Sequence, residues 1–352
     1  MVTVLMTTYN GEKYLREQLD SILNQADCPL RLVVSDDGST DGTMAILKEY
    51  AGRYPEKVEI LRENADDIPG RSGMPKEAAG SGAPQTTAVT AKTHYGSSAK
   101  HFFAVIDAVR KDSRYSDSAY FALSDQDDVW KPEKLKLAIA AIESCADHPT
   151  NHPVDHPTGS STGTSTDHPT DIPVLVHSDL SLADSEGRLT AESMAAQNRM
   201  RMDHTALNYR LVENAVSGNT VVMNRAFLNQ LAIPEACIMH DWWMALAGAC
   251  IGKIIYLPEP TVLYRQHSAN VYGSHKHFTA AEIRENYHNM FRQAEQLLAA
   301  YGDRMDDKNK ELLTAFIRMQ TQSRVGKIAT ILKYRFFKSR PIMTLGMMLK
   351  IS

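Results

Sequence analysis

The chain reads as an α/β protein: a mostly parallel central sheet with helices on both faces, extended by a helical C-terminal segment. Three observations carry that reading. Short apolar runs alternate with amphipathic helical text over the first 64 residues, polar clusters close the apolar runs, and the pattern is helical from about Thr279 to the end.

"VTVLMTTYN" opens as an apolar strand with a polar tip, and "GEKYLREQLDSILNQ" follows with Leu15, Leu19, Ile22 and Leu23 on one helical face. "LRLVVSDDGSTDGT" repeats the scheme, ending in a Ser/Thr/Asp cluster able to cap "MAILKEYAGRY". "KVEILREN" completes a β-α-β-α-β series. Ligands of such sheets sit beyond the carboxyl ends of the strands, so the tips at Thr7 to Asn10, Asp36 to Ser39 and Arg62 to Asn64 are expected to converge. Residues 65–98 are poor in large apolar side chains and read as a loop or an insertion. The helix "KHFFAVIDAVRK", the strand "AYFALS" and the helix "PEKLKLAIAAIE" come next, with Pro132 suited to a first turn. Residues 146–172 are low in complexity, with "DHPT" three times, and cannot build a packed core. Extended text returns in "IPVLVHSDLSLAD" and "KIIYLPEPTVLYRQH", on either side of the helix "HDWWMALAGACIG". Residues 1–275 form the main domain in this reading, and 276–352 a helical, basic extension.

The chain has 352 residues, 43% of them apolar and 23% charged, enough for one large domain with an appendage or for two domains. Its net charge of -4 offers no general field for nucleic-acid phosphates, so a nucleic-acid partner is not expected. Cys28, Cys145, Cys237 and Cys250 are scattered, as reduced thiols of a cytoplasmic protein are. The chain shows neither a signal-peptide pattern nor an apolar run of bilayer length. The expected place of work is the cytoplasm, or the inner face of a membrane.

"FALSDQDDVW" puts Asp125, Asp127 and Asp128 at the end of an apolar strand. Like charges so close need a cation, and in an extended chain Asp125 and Asp127 point to one side, which suits Mg2+ or Mn2+ shared with a diphosphate. A charged turn capping the next helix is the alternative.

"TTYNGEKYLREQLDSILNQ", "VVSDDGSTDGT", "SDQDDVWKPEKL", "SGNTVVMNR", "HDWW" and "YRQHSAN", in that order, resemble the inverting glycosyltransferases of family 2, which have the Rossmann-like GT-A fold. The resemblance covers about residues 2–64 and 100–275, and its "DQDDVW" is most like the bacterial rhamnosyltransferase branch. It implies a nucleoside-diphosphate sugar donor, a glycan or lipid-linked acceptor and a role in surface polysaccharide synthesis. Thr7 and Tyr9 would then contact the nucleotide, Asp36 would bond the base while Asp37 supports the turn, and Asn64 would lie on the donor side. Asp36 and Asp37 as plain helix caps are the alternative. Asp125 would face the donor, Asp127 would be the main metal ligand, and Asp128 a supporting residue. Asp241 would be the base that takes the acceptor's proton, a role compatible with helix capping. Trp242 and Trp243 would form an acceptor platform or belong to the core. His267 would bind the metal or the diphosphate, Arg265 would contact the donor as a charge partner beside it, and Ser217 and Gly218 would line the donor-acceptor cleft. The chain departs from the family pattern at Asn64-Ala65 and at His101. A non-catalytic sugar-nucleotide or glycan-binding protein on the same scaffold is the second reading.

From Leu312 to Ser352 there are eight Lys or Arg residues and no Asp or Glu, interleaved with aromatic and aliphatic side chains. That composition suits contact with a membrane surface, or a basic helical segment packed on the main domain with its charges in water.

Overall fold

The computed structural model describes residues 1–61, 95–147, 172–267 and 279–351. Asn64, most of both low-complexity stretches and the end of "YRQHSAN" lie outside them.

The first unit matches its sequence pattern closely. Strand β1 (Val2–Thr8) is buried throughout, α1 (Leu15–Leu23) buries Leu15, Leu19 and Ile22, β2 (Leu30–Asp36) pairs with β1 in parallel, and α2 (Thr43–Arg53) leads to β3 (Val58–Ile60). Then follow α3 (Ser98–Lys111), β4 (Tyr120–Ser124), the short β5 (Val129–Trp130) and α4 (Lys134–Asp147), with Pro132 in the turn that leads into α4. The second half holds β6 (Val174–Ala183), β7 (Leu189–Ala191), α5 (Met194–Asn198), α6 (Leu207–Arg210), β8 (Val222–Asn224), α7 (Arg225–Gln230), α8 (His240–Ile251) and β9 (Lys253–Arg265).

These strands make one sheet in the order β3-β2-β1-β4-β8-β6-β9-β5, with β7 on the side of β6. The expected parallel order holds for β3-β2-β1-β4 and for β6 with β9. It fails where β8 enters between β4 and β6, antiparallel to both, and where β5 pairs antiparallel with β9. The sheet is therefore mixed, because apolar alternation along one strand carries no record of its neighbour's direction.

Alternate residues of each strand feed two cores on opposite faces of the sheet. Leu5, Val33, Phe121, Leu123 and Leu175 point to one, and Val4, Met6, Leu32, Val34, Ala122 and Val176 to the other. The first core also takes in α3, α8 and four C-terminal helices: α9 (Ala280–Tyr301), α10 (Asp307–Arg318), α11 (Arg324–Tyr334) and α12 (Pro341–Lys350). Thr279 and Glu282 cap α9 reciprocally, which fixes where the helical extension begins.

Candidate active site

A cleft of about 700 Å3 opens where β1, β2 and β4 end, as the parallel order requires, and its far wall is built from residues 214–218 and the start of α8. Thr7, Tyr9, Asp37, Asp125, Asp127, Ser217, Gly218, Asp241 and Trp242, named from the sequence, all line it.

At the end of the cleft formed by β1 and β2 the expected placements of two carboxylates are exchanged. Asp36 accepts from the Thr8 hydroxyl at 2.9 Å and from the backbone N–H groups of Gly38 and Ser39 at 3.1 and 2.8 Å, so it builds the turn after β2. Gly38 takes φ 78° in that turn, a conformation side chains with a Cβ disfavour. Asp37 is the residue that faces the cleft, and it accepts from the Tyr95 N–H at 2.7 Å. Tyr95 stacks on His101, whose Nε2 meets the Ser35 hydroxyl at 2.7 Å. Gly96, Ser97 and Ser98, expected in the insertion, therefore line the cleft, and Ser98 is the first residue of α3.

In the middle, Asp125, Asp127 and Asp128 leave β4 at different depths. Asp128 is fully buried, accepts from the Asn219 side chain and from the Arg265 N–H, and is pushed well up by burial and then by Asp127 and Asp125. Asp125 is raised too, by burial first and then by Asp127 and Asp241. Asp127 opens to the cleft and meets His267 Nε2 at 2.9 Å, while Tyr14 stacks on the His267 ring with centroids 4.9 Å apart. The two residues read from the sequence as metal ligands thus come together from the loop between β4 and β5 and from the segment just after β9. Among the described residues no group of three His, Cys, Asp or Glu is placed to hold an ion.

Arg265 does not line this cleft, contrary to expectation. It is nearly buried beside the carboxylate loop, where its guanidinium bonds Glu17 and the backbone oxygens of Asp127 and Ser185. Its placement follows from the β5-β9 pairing, which lays the end of β9 along the loop before β5.

At the far wall Asp241 lies in the first turn of α8. Gly218 N–H donates to its Oδ2 at 3.1 Å, and the Asn214 side chain and its neighbour's N–H donate to Oδ1 at 3.0 and 2.6 Å. Burial outweighs these donors and pushes the carboxyl up to about 6, where it exchanges protons near neutrality. A Cβ on Gly218 would stand 2.5 Å from His240 Nε2, so only glycine brings this backbone N–H so close. Burial holds His240 neutral, pushed down to about 3. Trp242 shows an edge to the cleft and donates from Nε1 to the Arg210 carbonyl at 2.6 Å. Trp243 is fully buried, packs near Tyr301 and donates to the Ala232 carbonyl at 2.7 Å, so it is a core residue and no acceptor platform.

Sequence reasoning passed over Gln126, Asn214, Tyr14 and His240. Tyr14, Gln126 and His240 sit inside the motifs that were quoted, whereas Asn214 carries no local signal and matters only through Asp241, a partner distant in the chain.

Comparison with known proteins agrees with this geometry. The model of the family described as glycosyl transferase family 2 matches residues 3–71. A dTDP-rhamnosyl transferase of Shigella flexneri is 26% identical over 287 residues, which cover 78% of this chain and 76% of that protein. An uncharacterized Mycobacterium tuberculosis protein is also 26% identical, over 78% of this chain and 61% of its own length. The crystal structure of S. aureus TarS 1-349 in complex with UDP-GlcNAc superposes with a TM-score of 0.53 at 18% identity, covering 99% of this chain and 81% of that one. The likeness to TarS is one of fold. Family model, relatives and architecture agree: the chain has the GT-A fold and resembles the family 2 glycosyltransferases, a dTDP-rhamnosyl transferase among them.

Proposed function

We propose that the chain moves a sugar, rhamnose from a dTDP donor in the first instance, onto a glycan or lipid-linked acceptor with inversion, in surface polysaccharide synthesis. The donor assignment is supported by the similarity to the dTDP-rhamnosyl transferase of Shigella flexneri. The observation that carries the mechanism is Asp241: a carboxylate in the cleft wall, anchored by three N–H donors and raised to about 6 by burial.

In this reading Asp37, Thr7 and Tyr9 hold the nucleotide, and Asp125, Ser217 and Gly218 flank the donor sugar. Asp241 takes the proton of the acceptor hydroxyl as its oxygen bonds to the anomeric carbon, and the bond from that carbon to the diphosphate breaks. The nucleoside diphosphate leaves and the configuration inverts, because attack and departure use opposite faces. Trp242 offers its edge to the acceptor. One oxygen donor and one nitrogen donor 2.9 Å apart fit a divalent ion, and Asp127 and His267 would hold it with diphosphate and water filling the other positions. When bound, Mg2+ or Mn2+ neutralises charge on the leaving diphosphate. Residues 1–275 act as the transferase domain, and residues 276–352 carry a peripheral contact with the inner face of the membrane.

The test is nucleoside-diphosphate release from a panel of sugar nucleotides, with metal and with chelator, for wild type, Asp127→Asn and Asp241→Asn. Slow, metal-dependent turnover of a single donor that disappears in both variants supports the reading. Donor binding with no release, even after lipid-linked and free glycan acceptors are supplied, sinks it in favour of a sugar-nucleotide binding protein.

A further inference from the structure

The two last helices are apolar on the side that faces away from the core. On α11, Val325, Ile328, Ala329 and Leu332 follow the spacing of one helical stripe, with Val325 78% and Leu332 55% exposed. On α12, Ile342, Leu345 and Leu349 form a second exposed stripe, while Thr344, Met347 and Ile351 face inward. Among the described residues, six of the twelve exposed large apolar side chains belong to these two helices. Helices that are apolar on both sides are normally covered on both sides.

The charge around this face has one sign. Arg324, Lys333, Arg335, Arg340 and Lys350 are exposed along it, and among the described residues the only carboxylate paired with any of them is Glu311, 4.0 Å from Lys333. At its edge lies a second cavity of about 220 Å3, lined by Arg284 and His288 of α9, Lys327 of α11, Lys350 of α12, Tyr287 and Phe291, with no Asp or Glu among the described residues of its lining. Lys327 Nζ donates to the Ile351 carbonyl at 2.9 Å, which ties the end of α12 to α11 and gives the cavity a fixed wall.

We propose that the outer face of α11 and α12 docks on an anionic lipid bilayer, with the cavity between α9, α11 and α12 receiving a lipid phosphate. The proposal rests on the membrane contact assigned above to the C-terminal extension and supplies its surface and its ligand chemistry. Apolar stripes flanked by Lys and Arg lie in the plane of an anionic interface, the aliphatic side chains entering the acyl boundary and the cations staying among the head groups. No helix among the described residues is long and apolar enough to cross a membrane, so the contact is peripheral. A second copy is the poorer occupant, since a two-fold contact through this face would set its cations against their own images.

The experiment is sedimentation of the full chain with vesicles of phosphatidylcholine alone and of phosphatidylcholine with phosphatidylglycerol, at low and high salt. Wild type is expected to bind the anionic vesicles at least roughly tenfold more tightly, and to release them in high salt. The double variant Leu345→Gln/Leu349→Gln, whose positions are exposed and whose circular dichroism should match wild type, is expected to lose binding more than about tenfold. Arg284→Gln/Lys350→Gln is expected to reduce the preference for phosphatidylglycerol by roughly fivefold or more. A wild-type chain that stays in the supernatant with both vesicles overturns the proposal. So does equal binding to both, unaltered binding by the leucine double variant, or self-association in light scattering that this variant abolishes. Vesicle binding without turnover of any donor would count against the transferase reading and leave the docking face standing.

Discussion

The tip of β4 and the start of α8 deliver carboxylates to the same cleft and hold them in opposite ways. After β4 three aspartates crowd into four residues, burial and then the neighbouring carboxylates raise Asp125 and Asp128, and Asp127 leans on His267. At α8 a single carboxylate is surrounded by N–H donors and raised by burial alone. The first arrangement is short of positive charge and the second is poised to exchange a proton. A site that must both neutralise a departing diphosphate and accept a hydroxyl proton needs one of each.

The largest expected effect is on the α8 side. Asp241→Asn should lower turnover by about 10^2 to 10^4, the usual worth of a general base, while donor affinity in a titration stays near wild type. Trp243→Ala, two residues along, should leave no folded enzyme to compare: removal of a fully buried Trp costs about 3–5 kcal/mol, read in urea denaturation. On the β4 side, Asp127→Asn and His267→Ala should each weaken metal-dependent nucleotide binding by roughly 10–100-fold or more, and neither should change binding measured with chelator present.

A pH series separates the two ends further. Turnover should fall roughly tenfold per unit as pH drops well below about 6, where Asp241 becomes protonated. Stability should run the other way. The folded state raises this carboxyl from 3.8 to about 6, so its contribution is complete below 3.8 and is lost as pH rises through about 6. That contribution is on the order of 2–3 kcal/mol, and thermal melts of wild type and Asp241→Asn across this window measure it. The smallest effect is expected from Trp242→Phe, which deletes the bond to Arg210 for about 1 kcal/mol and acts on acceptor KM more than on donor binding.

Much of the donor half was legible because its logic is local. Leu15, Leu19 and Ile22 repeat at helical spacing, and a parallel strand must carry its polar tip to the sheet's end. The far wall was less so. Nothing in "SGNTVVMNR" shows that β8 enters antiparallel between β4 and β6, yet that placement is what brings Gly218 to Asp241. The exchange of Asp36 and Asp37 has the same source. Adjacent residues in extended chain point to opposite sides, and which side faces the cleft depends on Thr8 across the β1-β2 pair. Trp242 and Trp243 divide between cleft and core because neighbours on a helix are about 100° apart, and the dipeptide alone does not tell which faces inward. Arg265 looked like a donor contact from its company in "YRQH", and Glu17, its partner, is 248 positions away.

Gln126 joins the nucleotide and carboxylate ends through one side chain. Its Oε1 accepts the Tyr9 N–H at 2.8 Å and its Nε2 donates to the Tyr9 carbonyl at 2.9 Å, so a primary amide imitates one rung of a β-ladder between two strand tips. Gly11 makes room for it, since a Cβ there would stand 2.4 Å from that same oxygen. The loops beyond β1 and β4 are thereby cross-braced into a single rigid floor. If the cleft binds a nucleotide sugar as proposed, its arrival at one end should be felt at the other, and donor binding should register as one relaxation rather than two.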